Sequence, residues 1–265
     1  MEYNSTSLDT VCAALCYAMG IEPPANSAAP NGIITNYVDE KLKGGKVDRI
    51  VMFNPDAIAQ WIADKYTLLL EPATSRFGAE VPLLSVMPPV TPVCFGTMYT
   101  GAQPEVHGIR KYEKPVIKID SIFDALIRAE KRPAIIAETD CSMSKIYLGR
   151  DMDYYIFDTV EEVDAMAMKL ICEDRHDFIC IYNGNYDTLM HKYGPEGVEA
   201  LSQLRANSLA FGTLYELIKE NWKSHRTLLG FAMDHGCHGI DGGCGSHGLD
   251  MPEDLNIRHG YTIIG

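Results

Sequence analysis

No stretch of the 265 residues approaches the ~18 consecutive apolar side chains that a membrane-spanning helix needs, so no membrane partner is expected. Nor is there a dense run of Lys or Arg: 23 basic residues stand against 36 acidic ones, for a net charge of −13. Such a surface repels polyanions and argues against a nucleic-acid partner. Internal repeats and low-complexity segments are absent. The opening Met1-Glu2-Tyr3-Asn4 lacks the basic start of a secretory leader. The eight cysteines lie mostly within apolar runs, as reduced buried thiols do, and show no disulfide framework. These features lead to the expectation of a cytoplasmic protein. What remains, 46% hydrophobic and 22% charged, is an ordinary globular composition. A chain of this length can bury a core without disulfides or structural metals.

The dominant pattern is alternation. Short apolar runs at Arg49 to Phe53, Leu83 to Val86, Pro133 to Ala137, Tyr154 to Phe157, Asp177 to Tyr182, Thr227 to Ala232 and Tyr261 to Ile264 read as strands. Between them, Ala57 to Leu70, Pro92 to Tyr99, Ser121 to Glu130, Val160 to Cys172 and Glu196 to Asn221 read as helices. This predicts βαβ units and an α/β fold, a three-layer sandwich around a mostly parallel central sheet. Residues 1–46 read as a helical appendage packed on the core, and 47–265 as the main domain. Open sheets of this kind bind ligands at the carboxyl ends of their strands.

Several polar residues fall at those ends. Asp56 closes Phe53-Asn54-Pro55-Asp56, which is also good turn chemistry. Thr91 precedes Pro92 and an apolar run, the pattern of a helix N-cap with Pro at the first helical position. A hydroxyl there also faces free backbone N–H groups that favour a phosphate, and a metal could make it a nucleophile. Asp187 and His191 are spaced i, i+4, which sets carboxylate and imidazole on one side of a helical turn. Asp234-His235-Gly236 ends an apolar strand, where a buried charge needs a partner. His247 sits among four glycines in Gly242-Gly243-Cys244-Gly245-Ser246-His247-Gly248. Cys237, His238 and Cys244 raise a rival reading as a structural zinc site, although their spacing is not that of a finger or ribbon.

Taken in order, these residues resemble the ligand series of the alkaline phosphatase superfamily, in its type I phosphodiesterase and nucleotide pyrophosphatase branch. Thr91 to Ile109 (TPVCFGTMYTGAQPEVHGI) is similar to that branch's nucleophile segment, which ends in Pro-x-x-His-Gly-Ile. DTLMHKYGP from Asp187, DHG from Asp234 and GSHGLD from Gly245 resemble its other metal motifs. The resemblance covers most of residues 49–265. It implies an alkaline-phosphatase-like fold and a two-metal hydrolase of phosphoric esters, of phosphodiester or nucleotide pyrophosphate type. By the same resemblance Asp187, His191 and His247 hold one divalent ion, and Asp56, Asp234 and His235 the other. Zn²⁺ is the first expectation, with Mn²⁺ or Fe as alternatives. Thr91 contacts the metals and attacks phosphorus, giving a phosphothreonine that water releases. His107 would close its turn structurally.

The sequence departs from the branch in two ways. Arg110-Lys111-Tyr112-Glu113-Lys114 stands where nucleotide pyrophosphatases carry an Asn that contacts the phosphoryl oxygens. Lys111, Tyr112 and Lys114 are therefore the candidate substrate-binding residues. A phosphonate hydrolase like phosphonoacetate hydrolase, or a phosphomonoesterase, stays open on the same metals. A sulfatase is disfavoured because Thr91-Pro92-Val93-Cys94-Phe95 lacks the Cys/Ser-x-Pro-x-Arg setting. A non-catalytic metal-binding protein is the remaining alternative, and the complete ligand set speaks against it. The second departure is the short span from His191 to Asp234, which leaves no room for a large cap insertion there. Selection of a small phosphate ester or phosphonate then falls to loops 71–82 and 142–153, or to a partner subunit in a homo-oligomer. Finally, the segment from Leu8 to Pro24 is similar to a helix that many superfamily members carry after the last metal-binding His. Here it comes first, so it is expected beside the carboxyl-terminal strand, as in a permuted chain, unless it is an ordinary amphipathic helix.

Overall fold

The apolar runs of the sequence become the middle of one sheet. In the computed structural model, which describes residues 2–265, the strands are β1 (Arg49–Pro55), β2 (Ala79–Leu84), β3 (Pro133–Glu138), β4 (Asp153–Phe157), β5 (Phe178–Asn183), β6 (Thr227–Phe231), β7 (His238–Ile240), β8 (Cys244–Ser246) and β9 (Asn256–Ile264). Seven of them form the sheet, in the order β2-β9-β6-β1-β5-β3-β4. Only β9 runs antiparallel to its neighbours. The central strands β1, β5 and β6 are buried along nearly their whole length. Helices cover both of their faces, and this is why they read as unbroken apolar runs rather than alternations.

The helices are α1 (Thr10–Met19), α2 (Gly32–Leu42), α3 (Gln60–Lys65), α4 (Thr67–Thr74), α5 (Thr91–Thr100), α6 (Pro104–His107), α7 (Ile122–Arg128), α8 (Met143–Ile146), α9 (Val160–Glu173), α10 (Asn185–Tyr193), α11 (Val198–Asn221) and α12 (Pro252–Leu255). Helices α1, α2, α5 and α7 pack together in one layer, and α4, α9, α10 and α11 in the other. An aromatic cluster fills each side. Phe53 stacks on Phe231 at 5.8 Å beneath Phe211 of α11. Toward α7, Phe123 meets Tyr147 at 4.8 Å and Phe178 at 6.0 Å. Each such fully buried side chain contributes on the order of 2–3 kcal/mol from area alone. The expected three-layer α/β sandwich is the fold found.

Four local expectations are corrected. The helix expected over 57–70 is two helices broken at Tyr66, whose φ of −109° leaves the helical region and whose hydroxyl reaches Glu196. The strand expected at 83–86 lies at Ala79–Leu84, fixed by pairing with β9 from Ala79↔Tyr261 to Leu84↔Asn256. As an edge strand it alternates in burial, a weaker signal than an apolar run. The last strand begins at Asn256 rather than Tyr261, because its pairing with β2 extends to Leu84↔Asn256; within it His259 is buried with its Nε2 on the Met233 carbonyl at 2.6 Å. Helix α1 packs on β1, α5 and α7, and it is α2, capped by Asn31 and not foreseen, that packs on β9. The side chains of α1 join the same apolar core as the sheet. Among the described residues no helix is long and apolar enough to cross a membrane.

Candidate metal centre

Because β1, β5 and β6 are parallel neighbours, Asp56, Asp187 and Asp234 all emerge at one edge of the sheet. Asp56 directly follows β1, and Ala57 after it turns the chain at φ 60°, a strained value for a residue with a Cβ. Asp234 lies three residues past β6. Its backbone is pinned on both sides: Ser85 Oγ donates to its carbonyl at 2.6 Å and His259 to that of Met233. Asp187 enters on α10, and His191 follows one turn later with Nε2 3.3 Å from Asp187 Oδ1. The β7–β8 hairpin, in register His238↔Ser246, carries the chain from His235 back to His247. Within it Gly245 packs so tightly on α10 that a Cβ would fall 2.4 Å from Met190 Sδ. The glycine loop is thus a fitted wall, and its carbonyl accepts from His191 Nδ1 at 3.0 Å.

Two groups result, Asp187 with His191 and His247, and Asp56 with Asp234 and His235, each with ligand atoms within 4.8 Å of one another. The rings of His235 and His247 stack at 4.1 Å, so the groups are contiguous. All three imidazoles spend Nδ1–H on a backbone carbonyl: His191 on Gly245, His235 on Gly236 at 2.9 Å and His247 on Pro89 at 2.8 Å. This fixes the tautomer and turns each Nε2 lone pair toward carboxylate oxygens, as a backbone carbonyl does for a histidine that binds a metal through its other nitrogen. Asp56 Oδ1, Asp187 Oδ1 and Asp234 Oδ2 are buried and accept no hydrogen bond. Orphaned anionic oxygens facing lone pairs are costly unless a cation lies among them. Two divalent ions with mixed carboxylate and imidazole ligation fit this donor set.

The electrostatics agree. Without a cation, burial and then the Asp187 charge push the Asp56 carboxyl up to about 7. Burial and Asp56 likewise raise Asp234. Burial also opposes ionisation of Asp187, but the His191 and His247 imidazoles hold it below its ordinary range. The same contact holds His191 up at about 9, while burial drives His235 down to about 3. The pocket mixes carboxyls that resist ionising with an imidazole that resists protonation, and a dication relieves both.

Thr91 is the first residue of α5, not its cap; Val90 holds the cap position. Its hydroxyl is therefore not spent on the helix. It lies 3.3 Å from Asp56 Oδ2 and 3.4 Å from His235 Nε2, almost fully buried. His107 accepts from Ile109 N at Nδ1 and sits 3.0 Å from Thr97 Oγ1, closing the turn against Gly96. Cys237, His238 and Cys244 do not converge: His238 pairs with Asp254 at 2.7 Å, Cys237 Sγ lies by Tyr186, and Cys244 Sγ points to the Lys192 carbonyl. Lys111, Tyr112 and Lys114 lie on a loop where Lys111 pairs with Glu113 and Lys114 donates to the Asp140 carbonyl. None of the three hydrogen-bonds to a metal-site residue, and Tyr112 is 62% exposed. Tyr182, not singled out from the sequence, donates to Asp56 Oδ2 at 2.5 Å. Its signal was its place at the carboxyl end of β5, hidden inside an apolar run.

No family profile and no curated protein matches the sequence. Solved structures do match. Phosphonoacetate hydrolase from Sinorhizobium meliloti 1021, in complex with phosphonoformate, aligns over 72% of this chain and 56% of its own, at 19% identity and a TM-score of 0.54. Murine ectonucleotide pyrophosphatase/phosphodiesterase 5 aligns over 74% of this chain and 58% of its own, at 16% identity and 0.58. Its human counterpart gives 73%, 58%, 14% and 0.54. The fold is alkaline-phosphatase-like. This alkaline-phosphatase-like chain spans little more than half the length of the proteins it matches.

Proposed function

We propose that this protein is a two-metal hydrolase of phosphoric esters, of phosphodiester or nucleotide pyrophosphate type, with Thr91 as nucleophile. The observation that carries this reading is the Thr91 hydroxyl, free of any capping role, beside orphaned carboxylate oxygens and aligned imidazole lone pairs. The solved neighbours support the class of chemistry. One is a phosphonoacetate hydrolase, and an inactive variant of the murine pyrophosphatase/phosphodiesterase was solved with AMP.

Asp187, His191 and His247 would hold one ion, and Asp56, Asp234 and His235 the other. Zn²⁺ suits the donors best, with Mn²⁺ or Fe as alternatives. Bound there, the ions supply neutralisation of phosphoryl charge and a lowered pKa for a hydroxyl in contact. The residues of the chain supply position. Thr91 Oγ1 forms a bond to phosphorus while the ester oxygen leaves with its electron pair, giving a phosphothreonine. The oxygen of a water then forms a new bond to phosphorus as the Oγ1–P bond breaks, the phosphate product leaves, and a proton returns to Oγ1 to restore the hydroxyl. Asp56 Oδ2 is the acceptor for the Thr91 proton, which orients the attacking lone pair away from the carboxylate. Phosphoryl transfer depends on alignment and charge more than on covalent help, in keeping with a site built of ligands.

A second reading, hydrolysis of a phosphonate or phosphomonoester on the same centre, is favoured by the Lys111-Tyr112-Glu113-Lys114 loop. Two lysines suit a substrate with an additional negative charge, and the exposed Tyr112 ring lies beside Lys114. We place the protein in the cytoplasm, in keeping with its unpaired cysteines. The test is a panel of aryl phosphodiesters, aryl phosphomonoesters, nucleotide esters and phosphonates, with Zn²⁺ or Mn²⁺ and with chelator. Metal-dependent turnover of diesters above monoesters and phosphonates is expected. Preference for phosphonates would install the second reading, and no turnover of any of them would remove both.

A further inference from the structure

The two oxygens of Asp56 have different surroundings. Oδ2 accepts from Tyr182 Oη at 2.5 Å and from Thr91 Oγ1 at 3.3 Å. Oδ1 accepts from nothing, and it stands 3.4 Å from His235 Nε2, which lies as far from Asp234 Oδ2. Tyr182 has little freedom to move. Its backbone is fixed on β5 opposite Asn54 of β1, and its ring meets Phe95 edge-on at 5.7 Å. A phenol at this position donates one hydrogen bond in a set direction.

We propose that Tyr182 is a positioning residue for the metal centre: its hydroxyl pins Asp56 Oδ2, so that Oδ1 alone is presented alongside Asp234 Oδ2 and His235 Nε2. The proposal rests on the two-metal reading of the site and deepens it. Without the phenol, Asp56 can rotate and offer both oxygens or neither, and the buried Oδ2 keeps only the longer contact from Thr91. Because β5 runs directly into α10, the strand that anchors Asp56 also carries Asp187 of the other group. One strand pairing and one hydroxyl thus link Asp56 of one group to Asp187 of the other.

The test compares the metal-loaded parent with Tyr182→Phe and with Tyr147→Phe, whose hydroxyl donates to the Phe95 carbonyl at 2.8 Å in the same core. Chelator competition gives the affinity of each Zn²⁺, and Co²⁺ substitution gives the d–d absorption of the sites. Tyr182→Phe should weaken one of the two ions roughly 10- to 100-fold, leave the other near its parent value and alter the Co²⁺ spectrum. Tyr147→Phe should change neither. Circular dichroism and the melting temperature of the metal-free variants check that both retain the fold. Parent-like affinities and spectrum in Tyr182→Phe overturn the proposal, as does equal weakening by both variants, which would mark a general loss of packing. A parent that binds fewer than two ions removes the reading of the site itself. Two ions and intact ester hydrolysis, with no effect of Tyr182→Phe, removes only the role of Tyr182.

Discussion

His191 Nε2 and His247 Nε2 stand 3.2 Å apart, and the Nδ1 of each ring is committed to a backbone carbonyl. Neither nitrogen has a proton to offer the other in the neutral tautomer, and both face Asp187 Oδ1, at 3.3 and 3.5 Å. Two lone pairs and a carboxylate oxygen turned toward one point suit a cation, as the proposed two-metal centre requires.

Removal of one of these ligands should therefore lower occupancy. In His247→Ala the outer group keeps only Asp187 and His191, and His191 is the most exposed of the three. Elemental analysis after dialysis is expected to give about one ion per chain in place of two. An unchanged stoichiometry would exclude His247 as a ligand.

Thr91→Ala separates chemistry from metal binding. The side chain belongs to neither three-residue group, so both ions should remain. Turnover should fall by at least about 10³-fold, the scale of losing a nucleophile. Thr91→Ser keeps the hydroxyl and should retain much of the rate. A Thr91→Ala enzyme at full rate rules out the phosphothreonine.

Metal binding should depend on pH with a definite sign. The metal-free Asp56 carboxyl, raised by burial and by Asp187 to about 7, must lose its proton to act as a ligand. Affinity should therefore rise with pH through about 7, and go on rising toward about 9 as His191 of the other group gives up its proton. The Asp56 contribution to the stability of the metal-free protein runs the other way. Between the ordinary value of 3.8 and about 7, the folded state holds a proton on Asp56 that the unfolded chain has released, so this contribution falls as pH rises, while His235, held down to about 3 by burial, contributes in the opposite sense below its ordinary 6.5. Adding Zn²⁺ at 100 times its Kd should restore about 2.7 kcal/mol per site, several degrees in melting temperature. Comparison of the metal-free parent with Asp56→Asn isolates this contribution, and a parent-minus-variant stability that climbs with pH across this window contradicts the assignment.

Gly236→Ala tests the backbone that holds His235. A Cβ there would lie 2.2 Å from the Glu253 carbonyl oxygen, and the Gly236 N–H donates to Asp254 O at 2.7 Å. The glycine is needed for this close approach of α12 rather than for a sharp turn, since its φ is not positive. Overpacking should cost about 1–3 kcal/mol in denaturant unfolding and displace His235, reducing metal content. A variant with parent-like stability and two ions would show that the segment around α12 yields freely.

The sequence alone determined the central strands of the core and which polar side chains stand at their carboxyl ends. Runs such as Ile50-Val51-Met52-Phe53 and Phe178 to Tyr182 can be satisfied only by burial on two faces. The residue types following them, Asp, Asp-x-x-x-His and Asp-His, carry their own ligand chemistry. Tertiary structure decided what depends on pairing across long separations. The register of β2 with β9, the replacement of α1 by α2 on β9 and the convergence of the hairpin's Gly245 carbonyl on His191 leave no local pattern. Tyr182 belongs with these. Its hydroxyl matters because β5 lies beside β1, and hydrogen-bond partners 126 residues apart are chosen by sheet order, not by spacing along the chain.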